Sequence, residues 1–197
     1  GRNVMSTPVD AYFETLGSLP RLVRCSDGNG ADLPLDDAIW RFGAFAKDAH
    51  DAGNKIMFIG NGGSAGIASH MAIDYSKNGN LRSQAFNDPS ALTCLGNDLG
   101  YENVFAKQID LHARPGDLLV AISSSGNSEN ILGGVSQARE SGCQVITLSG
   151  FGEDNRLRGL GDINFYVPSQ EYGFVEITHL ALCHSVVDFS MGWQPDD

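Results

Sequence analysis

Short apolar runs alternate with helical stretches along most of this chain, and this alternation constrains the fold more than any other feature. Three helical stretches, at 64–78, 129–141 and 173–189, follow such runs. Strands that alternate with helices form βαβ units, whose strands lie parallel and are covered by helices on both faces. We therefore predict an α/β fold, a three-layer αβα sandwich with a mostly parallel, doubly wound sheet. The predicted strands are 55–59, 83–87, 117–122, 143–149 and 163–167.

Two N-terminal helices are predicted before this pattern begins. Residues 7–24 have helical character that is interrupted near Pro20. Residues 36–52 repeat apolar positions at helical spacing, and Gly53 is placed to end that helix. The turn-rich segment 25–34 is expected to connect the two helices.

The length of 197 residues suits one compact domain with a substantial core. We expect residues 1–34 to form a helical extension and residues 35–197 to form the main domain. Gly1 to Val4, which precede Met5, are interpreted as a tag remnant left by cloning.

The composition excludes several classes of function. The formal net charge is −11 and the 13 basic residues are scattered, whereas a nucleic-acid surface needs clustered lysine and arginine. No run approaches the roughly 18 apolar residues of a membrane span. The four cysteines form no CxxC pair, which indicates buried thiols in a reducing compartment, hence the cytoplasm. The cysteines in apolar surroundings are Cys94, Cys143 and Cys183.

The first glycine-rich loop, Gly60 to Ala65, follows a predicted strand and precedes a helix. Glycines let the backbone approach a ligand closely, and the start of a helix offers amides and a positive dipole end to an anion. The loop also matches G-x-G-x-x-A, a weak dinucleotide-binding pattern. A nucleotide enzyme would need an acidic residue after the second strand. Asp88 is available, but Pro89 and the serine loop described next fit this alternative poorly.

The second loop contains the serines of Ser123-Ser124-Ser125-Gly126-Asn127-Ser128 and again joins a strand to a helix. Four hydroxyls beside helix amides can surround a phosphate without lysine or arginine. The alternative is a polar turn in which Ser128 caps the helix. That alternative explains one serine and leaves three unexplained.

The two loops, GNGGSA at 60–65 and SSSGNSEN at 123–130, resemble those of the SIS (sugar isomerase) domain. More narrowly, the region from Phe42 to Asp188 resembles the phosphoheptose isomerase family. The resemblance implies that 35–197 is a SIS domain acting on a substrate such as sedoheptulose 7-phosphate by aldose–ketose isomerisation. It also implies a homotetramer with active sites at subunit boundaries and one zinc ion per site. Further matching segments are 96–98, 104–108, 114–123 and 145–150.

Four positions match the metal site of that family: His70, Asp74, Glu176 and His184. The first two are four residues apart on one helix face, and the last two lie within about 80° of each other on the final helix. His179 is about 140° from His184 and cannot share an ion with it. The alternative is that His184 is a core histidine with a backbone partner. His50 and His112 are expected at the surface.

The resemblance also suggests a division of roles. Asp74 would be the base, His184 the acid, and zinc would polarise the carbonyl oxygen. Glu176 would contact the substrate as well as the metal. The serines would hold the phosphate, and the other loop residues the sugar hydroxyls: Ser123, Ser124, Ser125 and Ser128; Asn61, Gly62, Gly63, Ser64, Asn97 and Asp98.

Four departures from the family keep other functions open. The family has Glu at Asp74, Gln at Glu176, Arg at Asn78, and an Asp near Tyr172 and Gly173. A sugar-phosphate sensor or interaction scaffold without catalysis is one alternative, and an isomerase for a different phosphorylated sugar is another. The retained histidines and carboxylate favour an enzyme. The resemblance suggests heptose synthesis for a cell-surface polysaccharide.

Overall fold

The computed structural model describes residues 6–196, so the predicted tag remnant lies outside the described residues. A short 3-10 helix at Tyr101–Asn103 joins the fourth and fifth helices. The α-helices are α1 Pro8–Leu22, α2 Leu35–Asp51, α3 Gly63–Lys77, α4 Pro89–Leu99, α5 Val104–His112, α6 Glu129–Glu140 and α7 Tyr172–Ser190. The strands are β1 Arg24–Asp27, β2 Asp32–Leu33, β3 Ile56–Gly60, β4 Ser83–Ala85, β5 Leu118–Ile122, β6 Gln144–Ser149 and β7 Ile163–Tyr166.

The strands form one sheet in the order β2-β1-β7-β6-β5-β3-β4. Strands β3 to β7 pair in parallel, whereas β1 pairs antiparallel with both β7 and β2. The chain runs from β3 outward to β4 and then crosses to β5, β6 and β7 on the other side, which is the doubly wound arrangement. The predicted α/β fold with a mostly parallel sheet is therefore confirmed.

Two separate cores give the fold its three layers. Alternate residues of β3 point to opposite faces, so Ile56 and Phe58 lie in one core while Met57 and Ile59 lie in the other. Helices α1, α2, α3 and α7 contribute to the first core, and α5 and α6 contribute to the second. This arrangement covers both faces of β3, β5 and β6.

Two local predictions are wrong. Segment 25–34 is not a plain connector, because it contains the β1–β2 hairpin that extends the sheet beyond β7. The first helix continues through Pro20 to Leu22, with the proline accommodated in its last turn. The Asp88 side chain, which the disfavoured nucleotide alternative would need for a ribose, accepts the amide hydrogen bond of Ala91 at 2.9 Å and caps α4.

The cysteines differ from the prediction at one position. Cys143 and Cys183 are buried, as is Cys25, but Cys94 is exposed on α4. Burial raises the pKa of Cys25 to about 12, of Cys143 to about 11 and of Cys183 to about 12. These three thiols are therefore protonated and unreactive at neutral pH. Between residues 6 and 196, no helix is both long enough and apolar enough to cross a bilayer.

Candidate active site

The two predicted loops meet at the carboxyl ends of the parallel strands. They follow β3 and β5, which are adjacent parallel strands with Gly60 opposite Ile122. Both strands end there, so the loops that follow them enclose a common pocket of about 250 Å³. We call this pocket the serine cradle. Its lining residues are Asn61, Gly62, Gly63, Ser64, Ile122, Ser123, Ser124, Ser125, Ser128, Tyr172 and Glu176.

The backbone of the first loop can approach the start of α3 closely only because glycines in the loop have no side chains. A Cβ atom on Gly60 would lie 2.5 Å from the carbonyl oxygen of Ser64, a contact no larger residue tolerates. The chain then enters α3 at Gly63 without a side-chain cap. The first amides of α3 therefore remain without side-chain partners beside the serine cradle, where the helix dipole favours an anion.

The four serines of the second loop have different surroundings. The hydroxyl oxygen of Ser123 accepts a hydrogen bond from the Gly126 amide at 3.1 Å, which shapes the loop. The Ser124 hydroxyl is buried and has no partner among the described residues. Ser128 precedes α6, but its side chain does not cap that helix. The interpretation of Ser128 as a mere helix cap is therefore wrong, and its hydroxyl is available to a ligand.

The serine cradle has no basic side chain among its lining residues, so its donors to an anion are neutral groups. Helix amides and serine hydroxyls supply the donors. The only charged side chain in the lining is Glu176. Its carboxylate lies against Gly63, beside the positive end of the α3 dipole.

A second group of side chains lies between α3 and α7. The Oδ2 atom of Asp74 is 3.6 Å from His70 Nε2 and 3.6 Å from His184 Nδ1. The ligand atoms of all three residues lie within 4.8 Å of one another. His184 is half-buried and faces His70 with ring centroids 5.5 Å apart, so it is not a core histidine with a backbone partner.

This group fits a zinc ion. Zinc binds nitrogen and oxygen ligands at about 2.0–2.2 Å, so neighbouring ligand atoms in a tetrahedral site are about 3.4 Å apart. The observed separations of 3.6 Å between the carboxylate and each imidazole are close to that value. Two imidazoles and one carboxylate also match a catalytic site with an open fourth position. The fourth predicted ligand, Glu176, is not part of the group and lies in the serine cradle instead.

Two predicted substrate contacts lie elsewhere. Asn97 and Asp98 are exposed near the end of α4, where the Asn97 amide donates to Asp98 at 2.9 Å, and neither lines the serine cradle.

The remaining histidines differ from one another. His112 is exposed as predicted, but His50 is half-buried and its Nδ1 accepts the Arg82 amide hydrogen bond at 3.0 Å. His179 is fully buried, and its Nε2 pairs with the Ser149 carbonyl at 2.9 Å. Burial lowers the pKa of His179 to about 4, so this imidazole is neutral at physiological pH.

Sequence reasoning missed Tyr172 and Asn130. Tyr172, the first residue of α7, lines the serine cradle with an exposed ring. Asn130 is buried at the start of α6 and pairs with Asn61 from the first loop. Asn130 is the last residue of the SSSGNSEN segment, so the resemblance at 123–130 could have identified it, and Tyr172 lies beside the position where the family has an Asp.

Comparisons with known proteins agree with this geometry. Residues 34–150 match the SIS domain family. The phosphoheptose isomerase of Akkermansia muciniphila is 40% identical over 147 residues, which cover 72% of this chain and 77% of that protein. The phosphoheptose isomerase of Citrifermentans bemidjiense is 34% identical over 160 residues, covering 78% and 83% respectively.

A solved structure is similar over nearly the whole fold. The phosphoheptose isomerase GmhA of Neisseria gonorrhoeae superposes with a TM-score of 0.80 at 31% identity, covering 92% of this chain and 96% of that chain. The meeting of the two loops at one end of the sheet agrees with these similarities. The chain belongs to the phosphoheptose isomerase family of SIS-domain proteins.

Proposed function

We propose that this protein is an aldose–ketose isomerase that converts sedoheptulose 7-phosphate into D-glycero-D-manno-heptose 7-phosphate. The observation that carries the proposal is the pairing of the serine cradle, whose lining has no basic side chain, with the His–Asp group formed by His70, Asp74 and His184. Residues of α3 and α7 contribute to both. Glu176 of the cradle and His184 of the group are eight residues apart on α7, a rise of about 12 Å. An extended seven-carbon sugar phosphate has a length of this order.

The phosphate end of the substrate would lie in the serine cradle. Ser124 and Ser128 offer hydroxyls that no described residue uses, and the α3 and α6 helix starts offer amides. Ser123 and Ser125 shape the loop through their bonds to the amides of Gly126 and Asn127, and their hydroxyl hydrogens can still be donated to the phosphate. Glu176, which lines the serine cradle, is proposed to contact sugar hydroxyls.

The His–Asp group would carry out the proton transfers. Isomerisation removes a proton from the carbon beside the carbonyl and delivers one to the neighbouring carbon, through an enediol. Asp74 would take the first proton. Its Oδ2 atom faces both histidines, so its other carboxylate oxygen would be the one that accepts the proton. His184 would exchange protons with the carbonyl and hydroxyl oxygens. A zinc ion held by His70, Asp74 and His184 would polarise the carbonyl oxygen.

We also propose a cytoplasmic homotetramer with active sites at subunit boundaries. Trp40 on α2 and Trp193 after α7 are 59% and 58% exposed, and both pack against Phe189. Trp40 and Phe189 line a groove of about 530 Å³ between α2 and α7. Exposed aromatic residues beside such a groove are typical of a protein interface. Light scattering on the purified protein measures the number of subunits directly.

An isomerase for a different phosphorylated sugar is the second candidate. Tyr172 and Glu176 line the serine cradle, and both stand where family members differ from this chain. The side chain of Asp74 is also one methylene shorter than the usual glutamate. These residues lie where the sugar would be recognised, so they favour a change of substrate over a loss of the phosphate site.

The decisive experiment is a turnover assay with sedoheptulose 7-phosphate on protein treated with chelator, before and after zinc is restored. We expect zinc-dependent formation of the aldose phosphate, abolished in Asp74→Asn and His184→Ala. Asp110→Asn is the matched control, because this exposed carboxylate pairs only with Lys107 on α5. Binding of the sugar phosphate without turnover would instead favour a different substrate or a sensor.

A further inference from the structure

A reciprocal amide pair connects the two loops of the serine cradle. The Asn61 side-chain nitrogen donates to Asn130 Oδ1 at 2.7 Å, and the Asn130 side-chain nitrogen donates to Asn61 Oδ1 at 2.9 Å. Tyr101 adds a third bond, from its hydroxyl to Asn61 Oδ1 at 3.0 Å. The amide pair therefore joins residues 69 positions apart in the chain.

The amide pair uses most of the bonding capacity of Asn61. The side-chain oxygen of an asparagine accepts two hydrogen bonds and its nitrogen donates two. Asn130 and Tyr101 fill both acceptor positions of Asn61, and Asn130 takes one of its two donors. A single N–H remains for a ligand. The conformation of Asn61 is consequently set by protein partners before any substrate arrives.

Asn130 lies where it can connect the two loops of the serine cradle. It lies two residues after Ser128, near the start of α6, and only 3% of its surface is exposed. Its partner Asn61 immediately precedes the glycines that open α3. The amide pair thus fixes the distance between the start of α3 and the serine loop, the two sides of the serine cradle.

We propose that Asn130 is a positioning residue for phosphate: through Asn61 it holds the two loops at the spacing that a phosphate group requires. This inference rests on the proposed function, since it assumes that phosphate binds between the loops. Asn130 does not line the serine cradle itself and therefore acts through its partner. The phosphate group is bound equally in the substrate complex and in the transition state of isomerisation. A wider cradle therefore weakens the binding of both states.

A positioning role and a purely structural role change different kinetic constants. Loss of uniform binding raises KM and leaves kcat nearly unchanged. Loss of folded protein lowers the apparent kcat and leaves KM unchanged. We expect Asn130→Ala to raise the KM for sedoheptulose 7-phosphate, and the dissociation constant of inorganic phosphate, about tenfold each, with kcat within about twofold of the wild type.

Two further variants show whether the asparagines act as a unit. Asn61→Ala should give at least the same rise, because it removes both the amide pair and the N–H that remains for a ligand, and the double variant Asn61→Ala/Asn130→Ala should be no worse than Asn61→Ala alone. The matched control is Asn164→Ala. Asn164 is an equally buried asparagine, but it lies on β7, which β6 separates from β5, and it bonds to Thr147 and Gly161.

Inorganic phosphate binding, measured by calorimetry, separates the outcomes. Unchanged phosphate affinity in Asn130→Ala, with a stability loss like that of Asn164→Ala, would overturn the positioning role. If the wild type binds phosphate but does not isomerise the heptose phosphate, the proposed substrate fails while the phosphate measurement still decides the role of Asn130. If Asn130→Ala does not fold, Asn130→Ser breaks the same pair with a residue that suits a helix start, and the same outcomes apply.

Discussion

The carboxylate of Glu176 lies directly against the backbone of Gly63. A Cβ atom at Gly63 would stand 2.5 Å from both carboxylate oxygens, well inside van der Waals contact. This contact connects the first residue of α3 with α7, and it places a negative charge beside the positive end of the α3 dipole. The absence of a side chain at Gly63 is what allows Glu176 to reach the serine cradle.

Replacing Gly63 with alanine should therefore displace Glu176 and reduce activity. A displacement of about 1 Å in a positioning group costs on the order of a hundredfold in rate, and overpacking costs about 1–3 kcal/mol of stability. Turnover and urea unfolding of Gly63→Ala measure both effects.

Gly66→Ala is the matched control for this change. Gly66 lies one turn further along α3, and a Cβ atom there meets no atom within 4 Å. Alanine at an exposed helical position stabilises by up to about 1 kcal/mol relative to glycine. We expect Gly66→Ala to raise stability and leave turnover unchanged. Equal activity in the two alanine variants would contradict a role for the Glu176 position.

The serines of the second loop should divide into two classes on substitution. Ser124→Ala and Ser128→Ala remove hydroxyls with no described structural partner, so they should leave stability unchanged and raise KM. A hydrogen bond to a charged group contributes about 1.5–3 kcal/mol, which corresponds to a rise of roughly 10- to 100-fold. Steady-state kinetics with thermal unfolding on the same samples tests both expectations.

Ser123→Ala provides the contrast. Its hydroxyl accepts the Gly126 amide, so its loss should cost about 1 kcal/mol of stability in addition to any change in KM. A Ser124→Ala variant that is as destabilised as Ser123→Ala would show that the buried Ser124 hydroxyl has a structural bond in solution, and would weaken its assignment to the phosphate.

Several features of the fold were predictable because they follow from local hydrophobic pattern. The strong apolar run at 117–122 became β5, since a strand buried on both faces needs continuous apolar residues. Helix α4 was missed although Leu92, Leu95 and Leu99 recur at helical spacing: the helix is short, none of its residues is fully buried, and only Leu92 and Leu95 pack against the second core. The β1–β2 hairpin was missed because its strands are four and two residues long and surround a glycine-rich turn.

The candidate site was predictable residue by residue but not as an arrangement. The loop motifs identified the residues of the serine cradle, and helical spacing placed His70 and Asp74 on one face. The separation of Glu176 from the His–Asp group depends on how α7 packs along α3, which no local pattern specifies. The pairing of Asn61 with Asn130 depends on the register of β3 against β5 in the same way.

Metal binding by the His–Asp group should be visible as a change in stability. A ligand present at a hundred times its dissociation constant stabilises the folded state by about 2.7 kcal/mol, which for a chain of this size corresponds to roughly 5–10 °C in Tm. We expect zinc to raise the Tm of chelator-treated protein by about this amount. His70→Ala and Asp74→Asn should abolish the rise, whereas His112→Ala, an exposed histidine outside the group, should retain it. A full rise in Asp74→Asn would place the ion elsewhere.

The buried imidazole of His179 should make the protein sensitive to acid. Burial lowers its pKa to about 4 in the folded state, below the usual value of 6.5 that applies to the unfolded chain. Between these two values the unfolded chain binds the extra proton and the folded protein does not, so stability falls as the pH is lowered from 6.5 towards 4. The difference of about 2.5 pKa units corresponds to about 3 kcal/mol.

Urea unfolding at pH 7 and at pH 4 on His179→Gln isolates this contribution. A glutamine amide can donate to the Ser149 carbonyl in place of Nε2 but does not titrate, so the variant should lose about 3 kcal/mol less than the wild type over this range. His112→Gln is the matched control for the substitution itself, because it makes the same exchange at an exposed position. Parallel pH curves for the wild type and His179→Gln would mean that His179 gains a proton in the folded state, and that water reaches the core between α7 and the end of β6.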